Sequence, residues 1–356
     1  MTAVAKDVRG AVLLTGNCGY IGAVMTKFLV ERSYRVVGLD SQYYVECDQQ
    51  PCGAPVTQIV KDIRDLTARD LDGVDAVIHL AGLSNDPLGE LRGDLTQEIN
   101  LAASVALAKL AKQARVPRYI FASSCSVYGI ASNEAPLDEH STVNPITEYA
   151  KSKALVEQEV GRLADAGFHP TFMRNATAYG CSPSLRLDLV VNNLAAWGYL
   201  TGKIAIMSDG TPWRPIVHVE DICRSVVAVL QAPADTIHNE CFNVGRNEEN
   251  FQVRDIAEMV KAVVPGCTVD IRNTSSSDER TYRVDFSKFA GRFPEHALQW
   301  TLRRGVEELY AAYKKFGLAP ADLESARYFR VRWIRQLIQA QRLDSNLRWK
   351  NGNANP

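Results

Sequence analysis

The chain has 356 residues, of which 46% are hydrophobic and 23% charged, and its formal net charge is −1. This length suits one large α/β unit or a core domain with a smaller companion, and the near-neutral charge argues against nucleic acid or an anionic membrane as main partner. No apolar run reaches the ~18 residues of a membrane span, and no signal peptide is evident, so we expect a cytoplasmic protein. The eight cysteines are scattered and lack metal-ligand spacing, so we expect them to be reduced and to bind no metal.

Short β-rich runs alternate with helical patterns through the first half of the chain. The predicted strands cover 11–15, 35–39, 57–60, 76–80, 118–122 and 171–174, and the helical patterns cover 20–32, 91–115 and 146–166. Strands separated by helices indicate right-handed βαβ crossovers. We therefore expect an α/β fold with a doubly wound parallel Rossmann sheet.

The second half of the chain has a less regular pattern. Helices are predicted at 188–200, 221–230 and 253–263, and strands at 204–207, 216–219 and 241–244. We interpret residues 1–175 as the Rossmann core, with returning pieces near 214–245, and residues 176–213 and 246–318 as a smaller, interleaved α+β substrate domain. Residues 319–356 form a charged C-terminal extension, predicted to be helical over 321–343 and to end in a polar tail, 351–356.

The most specific motif is the glycine turn between the first strand and the first helix. The segment Thr15-Gly-Asn-Cys-Gly-Tyr-Ile-Gly22 places glycines at 16, 19 and 22. In this context Gly16 permits a tight turn, Gly19 lets the backbone approach a pyrophosphate, and Gly22 allows close helix packing. Asp40 ends the second strand, where a carboxylate binds the adenosine ribose, and no arginine follows within 41–46. The sequence therefore favours NAD over NADP.

Three residues further along the chain have the chemistry of a proton-transfer site. Tyr149 and Lys153 are four residues apart, on one face of a helix, and a lysine ammonium stabilises a phenolate whose unperturbed pKa is ~10. Ser124 follows the fifth strand, at the edge where doubly wound sheets bind ligands. The alternative interpretation is a surface helix and a serine-rich loop without a chemical role.

With these motifs, residues 10–315 resemble the extended short-chain dehydrogenases/reductases, in particular their nucleotide-sugar epimerase/dehydratase group. The resemblance implies NAD as cofactor, a nucleotide-sugar substrate and a homodimer built on the helices 91–115 and 146–166. The cofactor contacts that it implies are Gly16, Gly19, Tyr20, Ile21, Gly22, Asp40, Asp62, Ile63, Leu80, Ala81, Gly82, Asn100, Tyr149 and Lys153. The substrate contacts that it implies are Ser84, Ser126, Asn175, Asn193, Arg214 and Arg280.

Within this resemblance, Asp62 and Ile63 border the adenine, Asn100 supports the active-site helix, and the two arginines hold the substrate diphosphate. Ser84 and Asn175 depart from common epimerases near the sugar, which leaves the sugar open. His218 is expected to be structural, and Glu220 with Asp221 to cap a helix.

The two positions after Ser124 bear on the reaction type. Family members that remove water carry an Asp-Glu pair there, whereas this chain has Cys125 and Ser126. We therefore predict a 4-epimerase that oxidises C4 to a 4-keto sugar and returns the hydride. Two interpretations of Cys125 stay open: an acid or base in a dehydratase or C3/C5 epimerase, or a small buried thiol. The alternative from another class of protein is a catalytically silent NAD-binding regulatory module. A simple reductase is a further alternative, and it would consume NADH.

Overall fold

A computed structural model describes residues 9–49, 56–84, 93–130, 135–272 and 280–350. Its strands are β1 (Ala11–Thr15), β2 (Arg35–Asp40), β3 (Thr57–Val60), β4 (Ala76–His79), β5 (Arg118–Ser124), β6 (His169–Asn175), β7 (Thr177–Tyr179), β8 (Lys203–Ile206), β9 (Trp213–His218), β10 (Glu240–Val244), β11 (Asn250–Gln252) and β12 (Thr268–Ile271). Its helices are α1 (Tyr20–Glu31), α2 (Gly93–Thr96), α3 (Ala103–Gln113), α4 (Glu148–Gly161), α5 (Val190–Thr201), α6 (Val219–Gln231), α7 (Ala234–Ile237), α8 (Val253–Val263), α9 (Ser287–Arg292), α10 (Leu302–Phe316), α11 (Ala321–Glu324) and α12 (Arg330–Gln339). A π-helix, Gln97–Ala102, joins α2 to α3.

The main sheet has seven parallel strands in the order β10-β6-β5-β4-β1-β2-β3. Every residue of β1 is buried, and Leu13 pairs with Val37 on β2 and with Val77 on β4. An apolar run of this kind is typical of a strand that is covered on both faces. The winding reverses between β1 and β4, which is the point where doubly wound sheets bind ligands. The predicted fold class is confirmed.

Helices cover both faces of the main sheet. On one face, α1 and α6 contribute to a single apolar cluster with strand residues such as Leu14 and Ile78. On the other face, α3, α4 and α12 surround Leu13, Val77 and Phe121. No helix in the described ranges has the length and apolarity that crossing a membrane requires.

Two smaller sheets are formed by strands that follow β6 in the chain. One has the order β11-β9-β7, and the other pairs β12 with β8. Helices α5, α8 and α10 share a third apolar cluster with these strands. The segment 214–245 is predicted to return to the main sheet. Its strand β10 does so by pairing with β6, whereas β9 pairs with β7 and β11 in a smaller sheet.

The C-terminal extension differs from the single helix predicted over 321–343. It contains the short helix α11 and the longer α12, because Ser325 adopts extended backbone (ψ 153°) and Phe329 is also extended (ψ 104°). Trp333 and Leu337 on α12 belong to the apolar cluster of the main sheet, and Trp333 Nε1 donates to the Tyr43 carbonyl (2.7 Å). The extension therefore packs against the half of the chain that contains the main sheet. The predicted polar tail, 351–356, lies outside the described residues.

Candidate active site

The turn between β1 and α1 requires glycine at two positions. Gly16 has φ +74°, and a Cβ there would lie 2.8 Å from the Ala81 nitrogen. A Cβ at Gly22 would lie 2.0 Å from the Gly16 carbonyl oxygen. Helix α1 carries no acidic residue in its first turn, so its N-terminus remains favourable to an anion. This cradle fits the pyrophosphate of a dinucleotide.

Asp40 lies beside this turn at the end of β2. Its Oδ2 accepts from the Cys18 N–H (3.1 Å) and its Oδ1 from the Gln42 N–H (2.7 Å). Burial raises the pKa of Asp40, and these hydrogen bonds oppose that rise. The carboxylate is thus fixed in position at the cavity wall, as a group that binds ribose hydroxyls must be.

Asp62 reaches the same wall with a carboxylate that is already paired. Arg64 donates to Asp62 through Nε (2.9 Å) and Nη2 (2.7 Å). Burial would raise the pKa of Asp62, but the hydrogen bonds from Arg64 outweigh it and lower that pKa. Asp62 therefore stays ionised beside the space expected to hold the adenine.

A cavity of about 910 Å³ extends from the glycine turn across the carboxyl edge of the main sheet. It brings together twenty of the residues predicted from the sequence, from both halves of the chain. They are Gly16, Gly19, Tyr20, Ile21, Gly22, Asp40, Asp62, Ile63, Leu80, Ala81, Gly82, Ser84, Ser124, Ser126, Tyr149, Lys153, Asn175, Asn193, Arg214 and Arg280.

Helix α4 places Tyr149 and Lys153 on the cavity wall. The Thr147 hydroxyl caps the helix by accepting from the Ala150 N–H (3.2 Å). Lys153 is 6% exposed, its Nζ donates to the Ala122 carbonyl (2.7 Å), and Nζ lies 5.6 Å from the centroid of the Tyr149 ring. Burial lowers the pKa of Lys153 to about 8, against the opposing charge of Glu157. The arrangement places a cation beside the phenol.

Two buried polar atoms beside Ser124 on the cavity wall have no hydrogen-bond partner among the described residues. They are Ser126 Oγ and Asn175 Oδ1. A buried polar atom without a partner costs about 1–3 kcal/mol, which a ligand hydroxyl would offset. The neighbouring Ser124 Oγ accepts from the Ser126 N–H (3.1 Å). These atoms suit a ligand rich in hydroxyl groups.

Cys125 and Asn100 are the two predicted site residues that do not line the cavity. Cys125 is 1% exposed, its Sγ donates to the Arg174 carbonyl (3.1 Å), and burial raises its pKa. The thiol therefore points toward β6, which favours the packed-thiol interpretation over the catalytic one. Asn100 instead bonds both backbone groups of Leu83 (2.7 and 3.0 Å) and Ser152 Oγ (3.4 Å), which braces α4 against the loop after β4.

The charge on the cavity wall is strongly basic, although the chain as a whole is close to neutral. Three acidic residues line it, namely Asp40, Asp62 and Asp188. The basic residues that line it number eight: Lys61, Lys153, Arg186, Arg214, Arg280, Arg330, Arg332 and Arg335. Such an excess suits ligands that carry several phosphates. Sequence reasoning found only Lys153, Arg214 and Arg280 among the basic residues.

Arg186 illustrates why the others were missed. It stands between Leu185 and Leu187 without a recognisable motif. In the structure it is 6% exposed, its Nε donates to Asp188 Oδ1 (2.8 Å) and its Nη1 to Ser84 Oγ (3.2 Å). A lone arginine in an apolar context was the only available signal.

His218 and the acids that follow it lie apart from the cavity. His218 is the N-cap of α6, its ring stacks on Trp300 with centroids 3.8 Å apart, and its Nε2 is 2.8 Å from Glu308 Oε2. Asp221 accepts the backbone N–H groups of Gln299 and Trp300 (2.8–3.0 Å). The predicted cap by Glu220 and Asp221 is therefore corrected: His218 caps the helix, and Asp221 anchors the loop before α10.

The sequence of this chain is similar to those of known proteins. A protein-family model described as "NAD dependent epimerase/dehydratase family" matches residues 12–245. The UDP-glucose 4-epimerase of Bacillus subtilis (strain 168) is 27% identical over 333 residues, which cover 85% of this chain and 95% of that protein.

Solved structures share the fold at lower identity. MoeE5 in complex with UDP-glucuronic acid and NAD has a TM-score of 0.74 at 24% identity, covering 87% of this chain and 100% of that one. The NAD dependent-NDP-hexosamine 5,6-dehydratase TunA has a TM-score of 0.76 at 23% identity, covering 86% and 98%. A dehydratase thus shares this fold, and the family model over residues 12–245 identifies NAD as the cofactor.

Proposed function

Because the chain belongs to the NAD dependent epimerase/dehydratase family, we propose that it is a 4-epimerase that interconverts UDP-hexoses through a transient 4-keto sugar. The observation that carries the proposal is that Ser124, Tyr149 and Lys153 line the same cavity as the glycine turn. The names of its curated relatives, UDP-glucose 4-epimerases and a UDP-glucuronate 4-epimerase, support the uridine nucleotide and position C4.

The cofactor would lie along the edge of the main sheet. The turn Gly16–Gly22 would hold its pyrophosphate, Asp40 its adenosine ribose, and Lys153 its nicotinamide ribose. NAD, when bound, supplies a reversible acceptor for the hydrogen on C4. The cofactor is restored in each turnover, so none is consumed.

Tyr149 is the proposed base for the C4 hydroxyl. A free phenol has a pKa of ~10 and is a poor base at neutral pH, but the Lys153 ammonium beside its ring favours the phenolate. Ser124 would hold the same sugar oxygen by a hydrogen bond. Proton transfer by a positioned group of this kind contributes about 10²–10⁴-fold to the rate.

Anchoring of the diphosphate allows the sugar to turn in the cavity. Arg214 is 8% exposed, and its Nη1 donates to the Trp213 carbonyl (2.9 Å) and to the Arg280 carbonyl, so the two arginines are held together. Their guanidinium groups suit a diphosphate. Ser126 and Asn175 would meet the sugar hydroxyls in either orientation of the 4-keto sugar.

The dehydratase alternative lacks its acid–base pair in this structure. Cys125 faces away from the cavity, and the Ser126 hydroxyl is a weak acid at neutral pH. If the chain were a catalytically silent NAD-binding module, the buried Lys153 ammonium beside Tyr149 would have no function. Both features support the epimerase.

The test uses the purified chain with UDP-glucose, UDP-galactose and UDP-glucuronic acid, without added NAD. We expect the mass of one substrate to stay unchanged while its C4 configuration inverts, as followed by NMR. Tyr149→Phe should reduce turnover at least about 100-fold while NAD and UDP-sugar still bind, because only the proton acceptor is lost. Tyr199→Phe, which lies outside the cavity lining, is the matched control. Loss of water from the product would overturn the proposal.

A further inference from the structure

Arg330 is a buried arginine that the C-terminal extension contributes to the cavity wall. It is 2% exposed, and its Nη2 donates to the carbonyl oxygen (3.1 Å) and the hydroxyl (2.7 Å) of Ser184. Its guanidinium lies over the ring of Tyr44, with Cζ 4.0 Å from the centroid. Its Nη1 is buried and has no hydrogen-bond partner in the part of the chain that the structure describes. A buried cationic donor without an acceptor is costly, so this atom points to a ligand.

The surroundings of Arg330 identify the end of the cavity to which it belongs. Tyr44 follows β2 closely in the chain, and the charge of Arg330 acts on the Asp40 carboxylate. Ser184 lies in the same segment as Ser182, whose hydroxyl donates to the carbonyl of Tyr20 at the start of α1 (2.7 Å). Arg330 is therefore placed between the end of β2 and the start of α1, on the cofactor side of the cavity.

Further positive charge from the same helix lines the cavity. Arg332 and Arg335 are exposed residues of α12 that border the cavity. The extension thus supplies three of the eight basic residues of the lining, and all three fall outside the segment 12–245 that matches the family model. A ligand phosphate would meet positive charge here that the segment 12–245 alone does not provide.

We propose that Arg330 binds the pyrophosphate of NAD, so that the C-terminal extension completes the cofactor site. The planar guanidinium donates to phosphate oxygens in a fixed fork, and its buried position strengthens such a bond. The Gly16–Gly22 turn would hold the pyrophosphate from the sheet side and Arg330 from the extension side. The inference rests on NAD binding and not on which sugar is epimerised.

The test compares full-length variants after bound nucleotide has been removed on charcoal. Arg330→Met keeps the bulk of the side chain without its charge, and Arg330→Lys keeps the charge without the fork. Arg342→Met is the matched control, because Arg342 pairs with Glu46 and stacks on Trp349 in the same extension but does not line the cavity. Affinities for NAD, ADP, adenosine and UDP are measured by calorimetric titration or competition, and melting curves establish that each variant is folded.

We expect Arg330→Met to weaken NAD and ADP binding about tenfold to a hundredfold and to leave adenosine and UDP unchanged. The affinity of Arg330→Lys for NAD and ADP should lie between those of the wild type and Arg330→Met. If Arg330→Met does not fold, the comparison of Arg330→Lys with the wild type is the test. Arg342→Met should bind NAD like the wild type. An unchanged NAD affinity, an equal loss for adenosine, or a loss confined to UDP would each overturn the inference. A wild-type chain that binds UDP-sugar but no NAD would instead contradict the cofactor assignment itself.

Discussion

At the scale of single residues, Lys153 combines a proposed catalytic role with an energetic cost. Its ammonium is buried, and burial lowers its pKa from 10.5 to about 8, with Glu157 opposing. Between pH 8 and 10.5 the unfolded chain binds more protons at this residue than the folded chain does. The contribution of Lys153 to stability therefore rises with pH across that window and is least favourable below pH 8.

This linkage predicts how Lys153→Met alters stability without NAD. The variant removes a buried charge. At about 1.4 kcal/mol per unit by which the pKa of Lys153 is lowered, this charge destabilises the folded chain by a few kcal/mol at pH 7. The variant also loses the hydrogen bond to Ala122, which contributes about 1 kcal/mol. We expect its free energy of unfolding to exceed that of the wild type at pH 7 and this difference to shrink toward pH 10. Urea unfolding at both pH values measures it, with the exposed Lys151→Met as control. A difference that does not change with pH would contradict the prediction.

Cys125 gives a second prediction at this scale, because its thiol faces Arg174 and not the cavity. Cys125→Ala should keep kcat within about threefold of the wild type and cost about 1 kcal/mol of stability through lost packing. Ser124→Ala, one residue earlier but on the cavity wall, should lower kcat at least tenfold. Steady-state kinetics and thermal melts compare the two. A hundredfold loss of kcat in Cys125→Ala with NAD binding intact would restore a catalytic role.

At the scale of elements, buried strands and the glycine turn could be predicted closely from the sequence. The run Ala11–Thr15 and the helix Val253–Val263 have the bounds that their apolar patterns indicate. The break in the extension at Ser325 could not be predicted, because the apolar residues there are spaced among arginines and the groups that the extension packs against lie far away in the chain. The Tyr43 carbonyl that binds Trp333, for example, is 290 positions away in the chain.

Helix α12 should therefore contribute to the stability of the half of the chain that contains the main sheet. Trp333 is 9% exposed within the apolar cluster of the main sheet, and Trp333→Ala should cost about 3–5 kcal/mol. Gln336→Ala, an exposed change on the same helix, should stay within about 0.5 kcal/mol of the wild type. Denaturant unfolding measures both variants. Equal stability of the two would mean that the extension is not part of the folded core.

At the scale of the whole molecule, the site combines segments that sequence reasoning treats separately. Gly16, Lys153 and Arg214 could be assigned because their motifs are local. Arg186 and Arg330 could not, since only the folded chain brings them to the cavity. The homodimer remains a prediction, which light scattering on the purified chain would test.

The most direct test of the epimerase proposal follows the hydrogen on C4. The chain is incubated, without added NAD, with a UDP-hexose that carries deuterium at C4, and the products are analysed by NMR and mass spectrometry. The account predicts that the inverted sugar keeps its deuterium at C4, with unchanged mass and no exchange of solvent hydrogen at C3 or C5. Loss of water, or exchange at C3 or C5, would contradict it.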